Sequence, residues 1–158
     1  MGTYGWLLAL HVTGAFLFLG GAVSAGTLNV LARRARRPSE IALLLGLTRI
    51  PLIAINVGMT MALFFGIWLV IHLDGYEITE AWILASLVLW VVVGWLGSLG
   101  GKREKATRLE AERLAAEDDT PSAALAERLR DRVSNALSWG SGVVGLVILV
   151  LMIWKPGA

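Results

Sequence analysis

From Tyr4 to Leu31 the chain carries no Asp, Glu, Lys or Arg, and this run limits the possible folds more than any other feature of the sequence. An uncharged apolar stretch of 18 or more residues is long enough to cross the ~30 Å hydrocarbon core of a bilayer as a helix. Three comparable runs follow, ending at His72, at Leu99 and at Trp154. Only 16% of the 158 residues are charged, against about 25% in ordinary soluble domains, and the mean hydropathy is +0.70. So little charge cannot coat a water-soluble domain of this size. Lipid is therefore the expected solvent, and inside lipid the backbone must satisfy its own hydrogen bonds, which favours helices. The expected fold is all-α: one integral membrane domain over 1–158, a four-transmembrane-helix bundle with spans at 4–31, 52–72, 81–101 and 136–154. Helices three and four are expected to extend into a cytoplasmic helical hairpin at 102–135.

A cleavable signal peptide competes for the first run, with Val23-Ser24-Ala25 as its cleavage site. The basic n-region is missing, however, and the arginines follow the apolar stretch, which argues for a retained helix. Segment two begins after Ser39, read as an N-cap, with Arg49 and Pro51 interrupting its early part. Counting back about 20 residues from His72 puts membrane entry near Leu52 and leaves Arg49 at the headgroup level, where its side chain can snorkel.

Orientation follows from Lys and Arg near the membrane ends, which favour the cytoplasm. The first link holds Arg33, Arg34, Arg36 and Arg37, and the third opens with Lys102, Arg103 and Lys105. The middle link holds Asp74, Glu77 and Glu80 with no basic residue. Both termini are thus expected outside. Tyr4, Trp6, Tyr76, Trp82 and Trp154 fall at the outer interface, as aromatic belts do. The basic residues are accounted for by topology, and no nucleic-acid partner is expected.

The third link is rich in Ala, Glu, Arg, Lys and Leu from Lys102 to Glu117, all strong helix formers. Asp118-Asp119 breaks the run, and Thr120-Pro121 reads as N-cap and first residue of a returning helix. Leu125, Leu129, Val133 and Leu137 then form an apolar stripe that Leu109 and Leu114 can face.

Helices in lipid associate through small residues that let backbones approach. Gly58, Ala62 and Gly66 repeat every four positions on helix two, and Gly20 to Gly26, Gly94 to Ser98 and Ser138 to Gly145 supply small residues elsewhere. Asn56, Thr60, Thr13 and Ser86 read as structural hydrogen-bonding groups.

With no cysteine, disulfides, Cys-bound zinc and iron–sulfur clusters are excluded. No Ser-His-Asp set, facing carboxylate pair or phosphate loop is visible. Chemistry would have to rest on His11, which lies about five residues, ~7 Å, inside Trp6; an ionisable residue at such a depth is a functional candidate. The alternative is a neutral imidazole bonded to a carbonyl, Ser or Thr of the next helix. His72 and Met152 belong to the same leaflet by topology, and imidazole with thioether suits a b-type haem or copper. Arg49 is read as a headgroup anchor or an anion contact.

Leu10-His11-Val12-Thr13-Gly14-Ala15-Phe16-Leu17-Phe18-Leu19-Gly20-Gly21, the Arg49-Ile50-Pro51 entry to helix two and the closing Met152-Ile153-Trp154-Lys155-Pro156 resemble a bacterial family of predicted four-helix integral membrane proteins of unknown function. That family is distantly similar to the copper-resistance D proteins and to the HemJ-type protoporphyrinogen oxidases. The resemblance implies a multi-pass protein of the bacterial inner membrane, with His11 as a haem ligand. The lysine that completes the HemJ-type ligand pair has no counterpart between Ala81 and Gly101. Three functions are therefore expected to compete: haem or metal binding at the outer leaflet for electron transfer, a cofactor-free accessory subunit of a larger membrane complex or homo-oligomer, and copper handling.

Overall fold

The computed structural model describes residues 2–72 and 77–155, so Asp74 and Tyr76, placed above in the outer link, lie outside the described residues. Among the described residues six helices follow one another: α1 Thr3–Arg34, α2 Pro38–Leu47, α3 Arg49–His72, α4 Ala81–Glu117, α5 Ala123–Leu129 and α6 Arg132–Trp154. Four helical stretches are long and apolar enough to cross a membrane, and no strand occurs among the described residues. The all-α fold expected from the apolar runs is the fold observed. Below, the end that carries Arg33 to Arg37 is called the basic end, and the end that carries Thr3, His72, Ala81 and Trp154 the terminal end.

The spanning helices pack as two antiparallel pairs, α1 on α3 and α4 on α6. The first pair closes through bare backbone. A Cβ placed on Gly14 would stand 2.6 Å from the Ala62 nitrogen and 2.9 Å from the Gly58 oxygen, and one on Gly58 would collide with the Phe18 amide. The Gly58, Ala62, Gly66 row therefore faces α1, as its spacing suggested, and the contact is too close for any side chain. The two pairs meet where Phe18 lies against Gly145 and where the Trp90 indole reaches the Met59 carbonyl at 3.4 Å.

Helix α4 is 37 residues long, ~56 Å at 1.5 Å per residue, and overruns the bilayer core by almost half its length. Beyond the core, at the basic end, α2, α5 and the last turn of α1 gather around it. Ala32, Ile41, Leu45, Ala111, Leu125 and Leu129 form one buried cluster there, with Ala35, Ala42, Leu44 and Leu114 packed against it. The expected hairpin is there, as α4 going out and α5 returning, and α2 with the last turn of α1 packs onto it to complete a core.

Local chemistry explains four departures from the sequence reading. Segment two divides at Thr48 into α2 and α3; Pro51 lacks the N–H that would have bonded the fourth residue before it, so the ladder cannot run through. The first helical residue of α2 is Pro38, not a residue after a Ser39 cap, because its fixed φ and missing donor suit that position. Ser39 instead gives its amide and its hydroxyl, both at 2.8 Å, to the Asp119 carboxylate, so a residue 80 positions away does the work of an N-cap. Thr120 turns back onto Asp118, and the returning helix starts after Ser122, whose hydroxyl accepts from the Leu125 amide.

That returning helix also breaks, at Arg130–Asp131. Asp131 caps the N-terminus of α6 by accepting from the Val133 and Ser134 amides, and it takes Arg103 at 2.7 Å. The break shifts the helical phase. Leu125 and Leu129 are buried while Val133 is 50% exposed, and Leu109 is exposed to the same degree, so the expected stripe splits and only its first half enters the core.

Candidate functional site

His11 sits half-buried on the α3-facing side of α1. Its Nδ1 lies 2.8 Å from the Ala62 carbonyl oxygen. A carbonyl can only accept, so Nδ1 carries the proton and donates, using the lone pair that the helical ladder leaves free. Gly66 provides the seat, since a Cβ there would stand 2.9 Å from the ring's Cε1. This is the carbonyl-bonded imidazole that the sequence reading set against the ligand. In this arrangement a backbone carbonyl fixes the histidine's tautomer and leaves Nε2 as the free nitrogen.

The structure treats the other proposed ligands differently. His72 ends α3 and is exposed; six residues separate it from Gly66, so its backbone stands ~9 Å further along the helix. The two histidines share a half of the membrane but not a level. Met152 is half-buried on α6. From the Phe18–Gly145 contact, seven residues toward the terminal end lead to His11 on α1 and to Met152 on α6. Seven residues are nearly two whole turns, which puts both residues on the terminal side of that contact, while the His11 ring itself faces Ala62 and Gly66 of α3. No group of three His, Cys, Asp or Glu suited to a metal occurs among the described residues. His11 is thus seated against α3, His72 lies further along that helix and Met152 lies on α6. Arg49 is exposed in the first turn of α3, consistent with a headgroup anchor.

A second polar constellation lies at the basic end, and the sequence reading missed it. Glu104 on α4 accepts from Asn29 Nδ2 of α1 at 3.0 Å and from the hydroxyl of Thr48, the buried residue between α2 and α3. This carboxylate thereby ties three parts of the chain together where the apolar spans give way to charge. Beside it is a cavity of about 20 Å³, lined by residues that include Asn29, Arg33, Glu104, Arg128, Ser134 and Ser138. The one available signal in the sequence was an acidic residue amid Lys102, Arg103 and Lys105, which alone reads as a helix-surface charge.

Around this end the electrostatics stabilise helix termini. The Asp119 carboxyl is held below its ordinary range, first by the Ser39 amide and then by the Ser39 hydroxyl. Asp131 is lowered too, chiefly by the Ser134 amide. Glu110 is lowered by its bond to Arg113, whose guanidinium is raised in turn.

Four apolar helices long enough to span a bilayer, closed by glycine contacts and interrupted by charge only at their ends, define a polytopic α-helical integral membrane protein. Residues 6–156 match the family described as "Predicted integral membrane protein (DUF2269)", and the chain belongs to that family. No curated protein and no solved structure matches it.

Proposed function

We propose that the protein is a cofactor-free accessory subunit of a larger complex in the bacterial inner membrane, with both termini outside and the helical domain at the basic end presented to the cytoplasm as its docking surface. One observation carries the reading: among the described residues the buried apolar cluster lies in this domain, while α1 and α4 run unbroken from the spanning region into it. The domain is thus a rigid object rooted in the bilayer. In the spanning windows at most 17% of residues are buried within the chain, which leaves apolar faces for lipid or neighbouring subunits. Extraction of the tagged protein from native membranes in a mild detergent tests this. Co-migration with other chains that is lost in Leu129→Asp, with membrane insertion intact, is the expected result; migration as the same species in wild type and variant would overturn it.

A second reading, a copper or haem ligand set on His11, has in its favour the Nδ1 bond to the Ala62 carbonyl, which leaves Nε2 free to bind a metal. A soft thioether with an imidazole suits copper(I) or haem iron. Protein from haem- and copper-replete cells that carries a stoichiometric Soret band or copper, lost in His11→Ala, would put this reading first.

A further inference from the structure

The cavity beside Glu104 has a chemistry that helix packing does not require. Its wall is fixed: Asn29 spends both amide protons, on the Ala25 carbonyl at 3.1 Å and on Glu104, and Thr107 gives its hydroxyl to the Arg103 carbonyl at 3.1 Å. The other lining residues with a side-chain donor not engaged in a hydrogen bond among the described residues are Arg33, Arg128 and Ser134. Neither arginine forms an ion pair among the described residues, where the pairs run from Arg103, Arg108 and Arg113; Arg128 acts on Glu110 only through space. Two arginines against the single carboxylate of Glu104 leave the lining with one positive charge.

The position is equally specific. Arg33 is the first charge after the apolar run of α1, Lys102 the first after that of α4, and Arg132 the last before that of α6, so the cavity lies at the level where phospholipid phosphates sit. A space of about 20 Å³ admits one oxygen-sized group, since a water needs ~10–15 Å³. An anion would therefore place one oxygen inside and keep its bulk at the mouth. Arginine is the side chain suited to phosphate through its forked donors.

We propose that this cavity binds the phosphate of a singly charged phosphodiester, as carried by an anionic phospholipid, with Arg33 and Arg128 clamping the phosphate and Ser134 contacting the inserted oxygen. One negative charge neutralises the lining, whereas a neutral zwitterionic headgroup brings its own cation to a site that already holds surplus positive charge. The cavity borders the helical domain through Arg128 and Leu129 of α5, but lipid retention is read without any partner protein, so its failure and that of the docking reading are distinguishable.

The test uses the full chain in nanodiscs of phosphatidylcholine doped with phosphatidylglycerol, with retained lipid read by native mass spectrometry after delipidation. Wild type is expected to retain phosphatidylglycerol over phosphatidylcholine, and Arg33→Gln with Arg128→Gln to lose that retention by about tenfold or more, the usual scale for removing charge-assisted hydrogen bonds. Arg34→Gln with Arg36→Gln removes the same two charges from exposed positions nearby and is expected to change retention by no more than about twofold, as exposed charges contribute weakly. A parallel titration with inorganic phosphate in pure phosphatidylcholine discs separates the sources: no binding assigns the site to lipid, and binding lost with the same two arginines assigns it to a free phosphate anion. Equal loss in both double variants, or no preference for phosphatidylglycerol, would overturn the proposal. Arg128→Gln alone lies on an exposed position of α5 and keeps the test valid if the double variant loses helicity; it too is expected to weaken retention.

Discussion

Leu125→Ala probes the domain at the basic end where it is most tightly built. Leu125 is 1% exposed and touches a cluster drawn from α1, α2, α4 and α5. Removing three of its carbons costs transfer free energy plus the cavity left behind, ~2–5 kcal/mol for buried leucines. Because four elements meet there, each held at its ends by a cap or a covalent turn, collapse into the gap is limited, and a cost of about 3 kcal/mol or more is expected. Every 1.4 kcal/mol is tenfold in an equilibrium, so the opening equilibrium of the domain should rise by about 100-fold. Amide hydrogen exchange of the protein in nanodiscs reads this directly: the protected amides of α2 and α5 should accelerate together by about that factor, while those of α1 and α3 around Gly14 and Gly58 keep their rates. Leu109→Ala, at a residue 50% exposed, is the control and should change exchange by less than about threefold, as surface substitutions do. If Leu125→Ala behaved like Leu109→Ala, or if α2 exchanged independently of α5, the domain would not be a cooperative unit and the argument from its core would fail.

Asp119 gives a pH dependence. Its carboxyl is lowered in the folded chain, so its contribution is fully present above the ordinary carboxylate range and is lost as pH falls through the folded value; the Ser39 amide resonance should follow that titration, and Asp119→Asn should abolish it. Gly58→Leu forces a side chain into the Phe18 amide and the Gly14 carbonyl, and the variant should insert but show a lower melting temperature in detergent than Gly94→Leu, where the nearest atom is the Met59 methyl at 4.0 Å. His11→Asn should preserve a donor to the Ala62 carbonyl and cost about 1 kcal/mol or less, in line with interhelical hydrogen bonds in bilayers; a melting temperature as low as that of Gly58→Leu would contradict this.

The spanning helices were legible because length and lack of charge suffice to specify them, and the close face of α3 was legible because Gly58, Ala62 and Gly66 recur at helical spacing. The extension of α4 could be read from its helix-forming composition. The break at Thr48 was marked only by Pro51, with the bond from Thr48 to Glu104 hidden, and the break at Arg130–Asp131 was not legible, since Asp131 takes a partner distant in sequence, Arg103. For the same reason α2 was merged with α3, and the buried role of Ala32 and Ile41 was hidden, because neither residue shows its partner until α1, α2 and α4 are brought side by side. His11 stood out by its depth, but its seat on Gly66 and the Ala62 carbonyl exists only once α1 packs on α3.

The central claim, that a rigid domain at the basic end docks the protein into a larger assembly, is tested most directly by the mass of the particle extracted from native membranes together with its surrounding lipid. The account predicts a particle containing this 17.0 kDa chain with other polypeptides, reduced to the chain and lipid in Leu129→Asp. A wild-type particle holding only copies of this chain, or a Leu129→Asp particle of unchanged composition, would contradict it.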